Sequence, residues 1–252
     1  MTAPEPSQTW DAGSYQHHTP FVAKLGEDVV ALLNPQSRER ILDLGCGDGA
    51  LTRVIIKHGA DVVGVDASAS FVASAKAAGI DARVADVQRL SFDEEFDAVF
   101  TNAVLHWVPD HGAMARGVHA ALVPGGRFVG EFGGFGNVAA ISTALRMAAA
   151  QWGADSSLAA PYNNPTEGEF AAVLEAAGFR VEQAFTFARP TLLPTGMRGW
   201  LEVMRGTYLD SFGDHREDAL SSILAALEPS MTNASGEWFA DYVRLRFVAI
   251  KP

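Results

Sequence analysis

The chain has 252 residues, of which 48% are apolar, and a formal net charge of −11 at pH 7. A chain of this length and composition can bury a large core within one enlarged domain. The acidic balance argues against nucleic acid as a partner, because phosphate contacts need a basic surface. We recognise no targeting signal and no apolar run of membrane-spanning length, so we expect a cytoplasmic protein without a membrane partner.

The first predicted strand follows an amino-terminal arm and covers residues 41–44, which are mostly apolar. It runs into Gly45, Gly47 and Gly49, where missing side chains allow a tight turn and the close approach of a ligand. Apolar residues at helical spacing then predict a helix over residues 51–58. A strand, a glycine turn and a helix in this order mark the place where doubly wound α/β sheets bind nucleotides.

Two carboxylates distinguish this turn from the turns that bind dinucleotides. Asp43 precedes the turn, Asp48 lies inside it, and the glycine spacing is G-x-G-x-G instead of G-x-G-x-x-G. The carboxylates would repel a pyrophosphate, which dinucleotide folds rest on the helix N-terminus. They suit a ligand with a positively charged amino or sulfonium group, and S-adenosylmethionine (SAM) carries both.

Acids also follow the next two predicted strands. Residues 62–65 precede Asp66, about 20 residues beyond the turn, where an acidic group holds ribose hydroxyls in nucleotide-binding folds. Residues 82–85 precede Asp86, which is placed to accept a hydrogen bond from an adenine amino group. Because parallel strands end at one edge of a sheet, we expect these acids to line a ligand site there. Each acid can alternatively be a helix cap or a solvated loop residue.

The remaining pattern alternates strands and helices. Strands are predicted over residues 96–100, 127–131, 179–188 and 242–250, and helices over residues 110–122, 138–152 and 166–177. Helical patterning recurs around residues 200–208 and over residues 219–227.

These motifs resemble those of class I SAM-dependent methyltransferases, most closely the small-molecule group that includes trans-aconitate methyltransferase. The segments that carry the resemblance are residues 10–15, the glycine turn, VVGVDAS at 62–68, FDAVFTNAVLHW at 96–107, LVPGGRFVGE at 122–131 and the final DYVRLRFVAIKP. The resemblance implies an α/β fold: a Rossmann-like, mostly parallel sheet of seven strands with an antiparallel last strand, helices on both faces and a helical cap. We expect a single methyltransferase domain over residues 1–252.

The resemblance also places the cofactor, SAM, which leaves as S-adenosylhomocysteine. By resemblance, the methionine part of SAM would lie against Asp43, Gly45 and Gly47, and its ribose against Asp66. The adenine would lie against Asp86 and the backbone of Val87. Asn102 would close the site near the methionyl group. Asn102 can equally be a turn residue that bonds its own backbone.

Two histidines are candidates for contact with the methyl acceptor. Methyl transfer needs alignment, exclusion of water and, for some acceptors, removal of a proton. His106 follows the fourth strand, and the ordinary pKa of histidine suits a general base near neutral pH. His106 can instead be a hydrogen-bonded turn residue. His18, on the arm, is the second candidate and can instead pack or lie in solvent. Glu131 either faces the pocket or fixes the glycine loop after it.

Three segments lie outside the predicted sheet and are expected to form the acceptor side: the arm of residues 1–33 and the insertions 132–165 and 190–238. Their large apolar side chains suggest a lid over a small organic acceptor, although they can simply pack the cap. These side chains are Trp10, Met147, Trp152, Trp200, Met204 and Phe212. Four arginines are candidates for clamping an acidic acceptor: Arg146, Arg189, Arg198 and Arg205. We expect a small-molecule acceptor methylated at oxygen, nitrogen or carbon, with a carboxylic acid as the first choice.

Other chemistries find less support in the sequence. No metal site is expected, because Pro109 separates His106 from His111 and the H-E-x-x-H spacing is missing. Cys46 is the single cysteine, so an intrachain disulfide is impossible, and it is expected to pack inside the turn. Two alternatives stay open: a dinucleotide-dependent oxidoreductase and a non-catalytic SAM-binding regulatory protein. The sequence leaves the oligomeric state undetermined.

Overall fold

The computed structural model describes residues 21–252. Its α-helices are α1 (Phe21–Leu33), α2 (Ala50–Lys57), α3 (Ala69–Ala77), α4 (His111–Ala121), α5 (Ala139–Trp152), α6 (Glu167–Ala176), α7 (Gly196–Asp210) and α8 (Arg216–Met231). Its strands are β1 (Arg40–Leu44), β2 (Asp61–Asp66), β3 (Asp81–Val84), β4 (Phe96–Asn102), β5 (Leu122–Gly133), β6 (Arg180–Leu192) and β7 (Phe239–Ile250). His18 and the rest of the predicted arm before residue 21 lie outside the described residues.

The seven strands form one sheet in the order β3-β2-β1-β4-β5-β7-β6. Strands β1 to β5 pair in parallel, and β7 runs antiparallel to β5. The predicted Rossmann-like, mostly parallel sheet of seven strands is confirmed, and so is the antiparallel last strand that the resemblance implied.

Helices cover both faces of the central parallel strands, so β1, β2 and β4 are mostly apolar and buried, whereas the edge strand β3 is mostly exposed. On one face, Leu42 and Leu44 of β1 belong to a core that includes Met114 of α4 and Phe170 of α6. On the other face, Ile41 belongs to a second core. Among residues 21–252, each helix is too short or too polar to span a bilayer.

Helix α1 contributes to that second core. Its residues Val29, Val30 and Leu33 are buried together with Ile55 of α2. Their spacing gives α1 one continuous apolar face. The carboxyl half of α1, which the sequence analysis assigned to the acceptor side, therefore packs against the sheet.

Strands β5 and β6 extend furthest beyond their predicted bounds, and β4 and β7 are also longer than predicted. Strand β5 begins at Leu122, because the backbone of Gly125 and Gly126 bonds to Lys251 (N to O 2.8 and 2.9 Å) in place of forming a free turn. Strand β6 continues through Pro190 to Leu192. It lies at the edge of the sheet, where a residue without an N–H is tolerated.

The described residues divide into two compact units. The sheet unit contains residues 21–135, 162–187 and 244–252. The helical unit contains residues 136–161 and 188–243, with α5, α7 and α8. Inside the helical unit, buried residues of α7 form much of the core, and the indole N–H of Trp200 donates to the hydroxyl of Tyr242 (2.6 Å).

Gly45 shows why the turn after β1 requires glycine. Its φ is +80°, a left-handed conformation that L side chains rarely adopt. A Cβ built at this position would lie 2.2 Å from the Cγ2 of Val104. Gly125 has the same φ of +80° but no heavy atom within 4 Å of such a Cβ. The two positions thus share the backbone requirement and differ in crowding.

We expect Gly45→Ala to lower the free energy of unfolding by more than Gly125→Ala. The left-handed backbone costs about 1–2 kcal/mol in both variants. Crowding against Val104 adds about 1–3 kcal/mol only at position 45. Urea titration measures the difference, and Val104→Ala in the Gly45→Ala background should recover part of the loss. Equal losses in the two single variants would show that crowding does not constrain the turn.

Candidate active site

The candidate cofactor residues meet at the carboxyl edge of the sheet unit. Strand β1 pairs with both β2 and β4, so the glycine turn lies between Asp66, at the end of β2, and Asn102, at the end of β4. Asp86 lies two residues beyond β3, which pairs with β2. The structure therefore brings together the residues that the sequence placed at strand ends.

The Asp66 carboxylate fixes the glycine turn. Its Oδ2 accepts a hydrogen bond from the Gly47 N–H (3.0 Å), and its Oδ1 accepts one from the Ser68 N–H (2.8 Å). Burial raises the pKa of Asp66, although these two hydrogen bonds act in the opposite direction. Gly47 has a φ of +55°, and a Cβ at this position would meet nothing within 4 Å. Open space therefore lies beside a backbone that a ligand can approach closely.

Asp43 is a buried acid below the same turn. Its side chain is 2% exposed, and its Oδ2 accepts a hydrogen bond from the Thr52 hydroxyl (2.6 Å). Burial raises the pKa of Asp43 to about 7, and the negative charge of Asp66 raises it further, whereas the Thr52 hydrogen bond lowers it. Two nearby carboxyl groups with raised pKa values favour a cationic ligand, because positive charge would stabilise their ionised forms.

Asp86 acts as a cap in the structure. Its Oδ1 accepts hydrogen bonds from the backbone N–H (2.9 Å) and the side-chain amide (3.1 Å) of Gln88, at the start of a short 3₁₀ turn. Val87 is the first residue of that turn, and its side chain is buried. The cap that the sequence left as an alternative for Asp86 is therefore present. Contact of Asp86 and Val87 with adenine stays a prediction.

His106 is buried in a one-turn 3₁₀ helix just after β4. Its Nδ1 accepts a hydrogen bond from the Gly133 N–H (3.3 Å), so the neutral ring carries its proton on Nε2. Burial holds the pKa of His106 well below its ordinary value, and the positive charge of Arg244 lowers it further. His106 is therefore a weaker base than its ordinary pKa indicates, and its contact with the acceptor stays a prediction.

Glu131 forms a buried ion-pair cluster, and the two roles predicted for it from the sequence stay predictions. It is fully buried, and its Oε2 accepts hydrogen bonds from the Arg246 Nε (2.9 Å) and Nη2 (2.7 Å). Its Oε1 accepts one from the Arg244 Nε (3.3 Å). The antiparallel register places Arg246 opposite Glu131 and explains this pairing.

The helical unit uses several predicted acceptor-side residues for its own packing. Trp200, Met204 and Phe212 are buried, whereas Met147 is 64% exposed. Arg205 is buried and donates through Nη2 to the Leu158 carbonyl.

Of the other candidate arginines, Arg198 pairs with Glu217 (3.1 Å). Arg146 is exposed and Arg189 is partly buried. An arginine clamp, like the acceptor side as a whole, stays a prediction.

Cys46 is a buried free thiol in the glycine turn, as expected for a packed side chain. Burial raises its pKa, and the negative charges of Asp43, Asp66 and Asp48 raise it further. Within residues 21–252, no three side chains of His, Cys, Asp or Glu are grouped so that they can hold a metal ion.

Comparison with known proteins decides the family. Residues 42–130 match a family model described as a methyltransferase domain. An uncharacterized methyltransferase of Schizosaccharomyces pombe is 36% identical to this chain over 98% of this chain and 99% of the relative. The chain belongs to the class I SAM-dependent methyltransferases. A trans-aconitate 2-methyltransferase of Methylobacterium nodulans is also similar, with 30% identity over 89% of this chain and 90% of the relative.

Solved methyltransferases share the fold. A SAM-dependent methyltransferase from Mesorhizobium loti superposes with a TM-score of 0.55 at 23% identity, over 89% of this chain and 96% of that one. The phosphoethanolamine N-methyltransferase 2 of Haemonchus contortus, solved with S-adenosylhomocysteine, gives 0.61 at 17% identity, over 96% of this chain and 57% of that one. This methyltransferase uses SAM as its methyl donor, and its family decides against a dinucleotide-dependent oxidoreductase.

Sequence reasoning missed several residues around His106 and Glu131. Arg244 and Arg246 alternate within the apolar carboxyl half of β7. Two charges on one face of such a segment are a signal that they have a buried partner. Tyr162 packs its ring against His106 and Trp107, with ring centroids 5.9 and 4.9 Å apart. Nothing in the local pattern of residue 162 predicts this long-range contact.

We expect Asp43→Asn to remove a pH dependence of stability. A carboxyl group whose pKa is raised by folding stabilises the protein below its unfolded pKa, and this contribution is lost as the pH rises through its folded pKa, about 7 for Asp43. Between pH 5 and pH 8 the wild type should therefore lose about 2–3 kcal/mol relative to Asp43→Asn. Thermal and urea unfolding at several pH values measure this. Asp61→Asn, at an exposed position, is the control and should keep the wild-type slope.

We expect Asp66→Ala to weaken SAM binding by about 1.5–3 kcal/mol, the range for a hydrogen bond to a charged group. The variant should also lose stability, because the Gly47 and Ser68 amides lose their acceptor. Asp61→Ala, at the exposed opposite end of β2, is the matched control for titration calorimetry. An unchanged SAM affinity in Asp66→Ala would mean that other groups bind the ribose and position the turn.

Proposed function

We propose that this methyltransferase transfers the methyl group of SAM to a carboxylate oxygen of a small organic acid. The observation that carries the proposal is the state of His106. Its Nδ1 already accepts the Gly133 N–H, and burial lowers its pKa, so at neutral pH the ring offers a hydrogen-bond donor at Nε2 and no strong base. A carboxylate is deprotonated at neutral pH and needs no base, whereas a phenol or an ammonium group must first lose a proton.

The division of labour in the site then follows from its residues. SAM, when bound, supplies an electrophilic methyl group on a positively charged sulfur. Asp66 keeps the glycine turn in place, and Gly47 leaves room for the cofactor beside its backbone. Asp43 contributes negative charge below the turn. His106 would orient the acceptor by donating a hydrogen bond from Nε2. Positioning of this kind is the main requirement of methyl transfer.

The relatives support the same acceptor class. The Methylobacterium nodulans relative, similar over most of both chains, is named for methylation of trans-aconitate, a tricarboxylic acid. Shorter similar segments occur in trans-aconitate 2-methyltransferases of mycobacteria, with 33% identity over 46% of this chain. A small acid is therefore the first acceptor to test, and trans-aconitate is the first compound.

Formation of S-adenosylhomocysteine with panels of carboxylic acids, phenols and amines tests the proposal. We expect turnover with one or more acids and none with their amides, which keep the shape but lose the anionic oxygen. Turnover restricted to phenols or amines would contradict the proposal. Silence across the panel, with intact SAM binding, would favour the non-catalytic SAM-binding alternative.

Two substitutions of His106 test its proposed role as a donor. In His106→Gln the amide nitrogen can occupy a position near that of Nε2, whereas the shorter side chain of His106→Asn reaches only the position of Nδ1. We expect turnover to fall about 10-fold or less in His106→Gln and about 100-fold or more in His106→Asn, since only the former keeps the donor. SAM affinity should change little in either. Equal losses of turnover would argue that His106 acts as a base.

A further inference from the structure

The turn that carries His106 begins with a strained residue. Ala103 has a φ of +60°, a left-handed conformation, and its N–H donates to the Glu131 carbonyl (2.8 Å). Such a conformation persists in a residue other than glycine only where the surrounding structure imposes it, and it is common at functional sites. The contacts that hold the turn over residues 103–109 therefore determine where His106 lies.

Asn163, on the loop before α6, binds this turn through three carbonyl groups. Its backbone N–H donates to the His106 carbonyl (2.8 Å). Its side-chain amide nitrogen lies 3.1 Å from the Val108 carbonyl oxygen and 3.2 Å from that of Pro109. Asn163, which is distant in sequence, thus hydrogen-bonds to the carbonyl groups of His106, Val108 and Pro109.

His111, the first residue of α4, holds the turn from the other side. Its Nε2 lies 2.8 Å from the Leu105 carbonyl oxygen, and its Nδ1 lies 3.4 Å from the Asn163 amide nitrogen. One neutral tautomer satisfies both contacts, with Nε2 donating and Nδ1 accepting. Edge-on rings of Phe132 and Phe170 enclose the imidazole (centroids 5.6 and 5.5 Å).

We propose that Asn163 and His111 are positioning residues for methyl transfer, which hold the turn so that His106 presents its Nε2–H to the acceptor. This inference rests on the proposed function. The proposed arrangement requires a neutral His111, because a protonated ring would point the N–H at its Nδ1 toward the side-chain NH₂ group of Asn163. The titratable groups near His111 are Asp110 and His106, while β5 and α6 contribute the two phenylalanine rings. Activity should therefore fall on the acid side as His111 becomes charged.

Asn163→Asp is the sharpest test, because it keeps the shape of the side chain and replaces the donor by an acceptor. The carboxylate would repel the Val108 and Pro109 carbonyls and favour a protonated His111. We expect kcat to fall about 10-fold or more. We also expect the decrease of kcat at low pH, the acid limb of the pH profile, to begin at a higher pH than in the wild type. The SAM dissociation constant should stay within about twofold. Imidazole ¹⁵N spectra should show a higher pKa for His111 and an altered Nε2 signal for His106.

Two further variants serve as controls. Asn34→Asp makes the same change at an exposed position just after α1, outside the segments assigned to the acceptor side, and it should leave kcat unchanged. His111→Gln can still donate to the Leu105 carbonyl but cannot titrate in this range. This variant should keep most of the activity at neutral pH. Its kcat should decrease less at low pH, because the protonation of His111 no longer contributes. It also tests the inference if Asn163→Asp does not fold.

Three outcomes would overturn the inference: unchanged kcat and ¹⁵N spectra in Asn163→Asp, parallel losses of kcat and SAM affinity, or an acid limb unchanged in His111→Gln. The ¹⁵N spectra need no acceptor, so they separate this inference from the proposed function. The wild type could methylate no acid while Asn163→Asp still shifts the signals of both histidines as expected. The proposed acceptor class would then be wrong, and the role of Asn163 and His111 in holding the turn would be supported.

Discussion

A single carboxylate joins the two segments that form the candidate cofactor site. Asp66 accepts hydrogen bonds from Gly47, in the turn after β1, and from Ser68, at the start of α3. Both amides would otherwise point toward the ligand or need water. By occupying them, Asp66 fixes the turn in the left-handed conformations that its glycines permit. The cost is a partly buried negative charge close to Asp43, and we expect a cationic cofactor to offset that cost. The conformation of the turn and its choice of ligand therefore have the same physical origin.

The second group of constraints lies past β4, where the chemistry of the acceptor is expected. His106, His111 and Asn163 form a chain of contacts in which each ring has one defined tautomer. Aromatic side chains surround this chain and lower the pKa of both histidines by excluding water. A site built in this way orients groups through neutral hydrogen bonds. The proposed acceptor, which arrives already ionised, suits a site of this kind.

Local patterns in the sequence were sufficient for the sheet and for bringing the candidate cofactor residues to one edge of it. Asp43, Asp66 and Asp86 follow apolar strands, and parallel pairing brings the ends of those strands together regardless of the loops between them. The partners of His106 were beyond local reasoning, because Asn163 lies 57 residues away and contacts the turn through backbone carbonyls that any residue possesses. The shifted pKa of His106 was missed for the same reason. It depends on burial by residues that are distant in sequence.

Cys46 gives the glycine turn a built-in chemical reporter. It is the only thiol of the chain, and it is buried between the turn and Gly64. Burial suppresses its ionisation, and three neighbouring carboxylates suppress it further. Maleimides and other alkylating agents react with thiolates, so the folded turn is protected from them. The rate at which Cys46 is alkylated therefore measures how often the cofactor edge opens. In this enzyme, local opening of the candidate SAM site can therefore be followed without introducing a label.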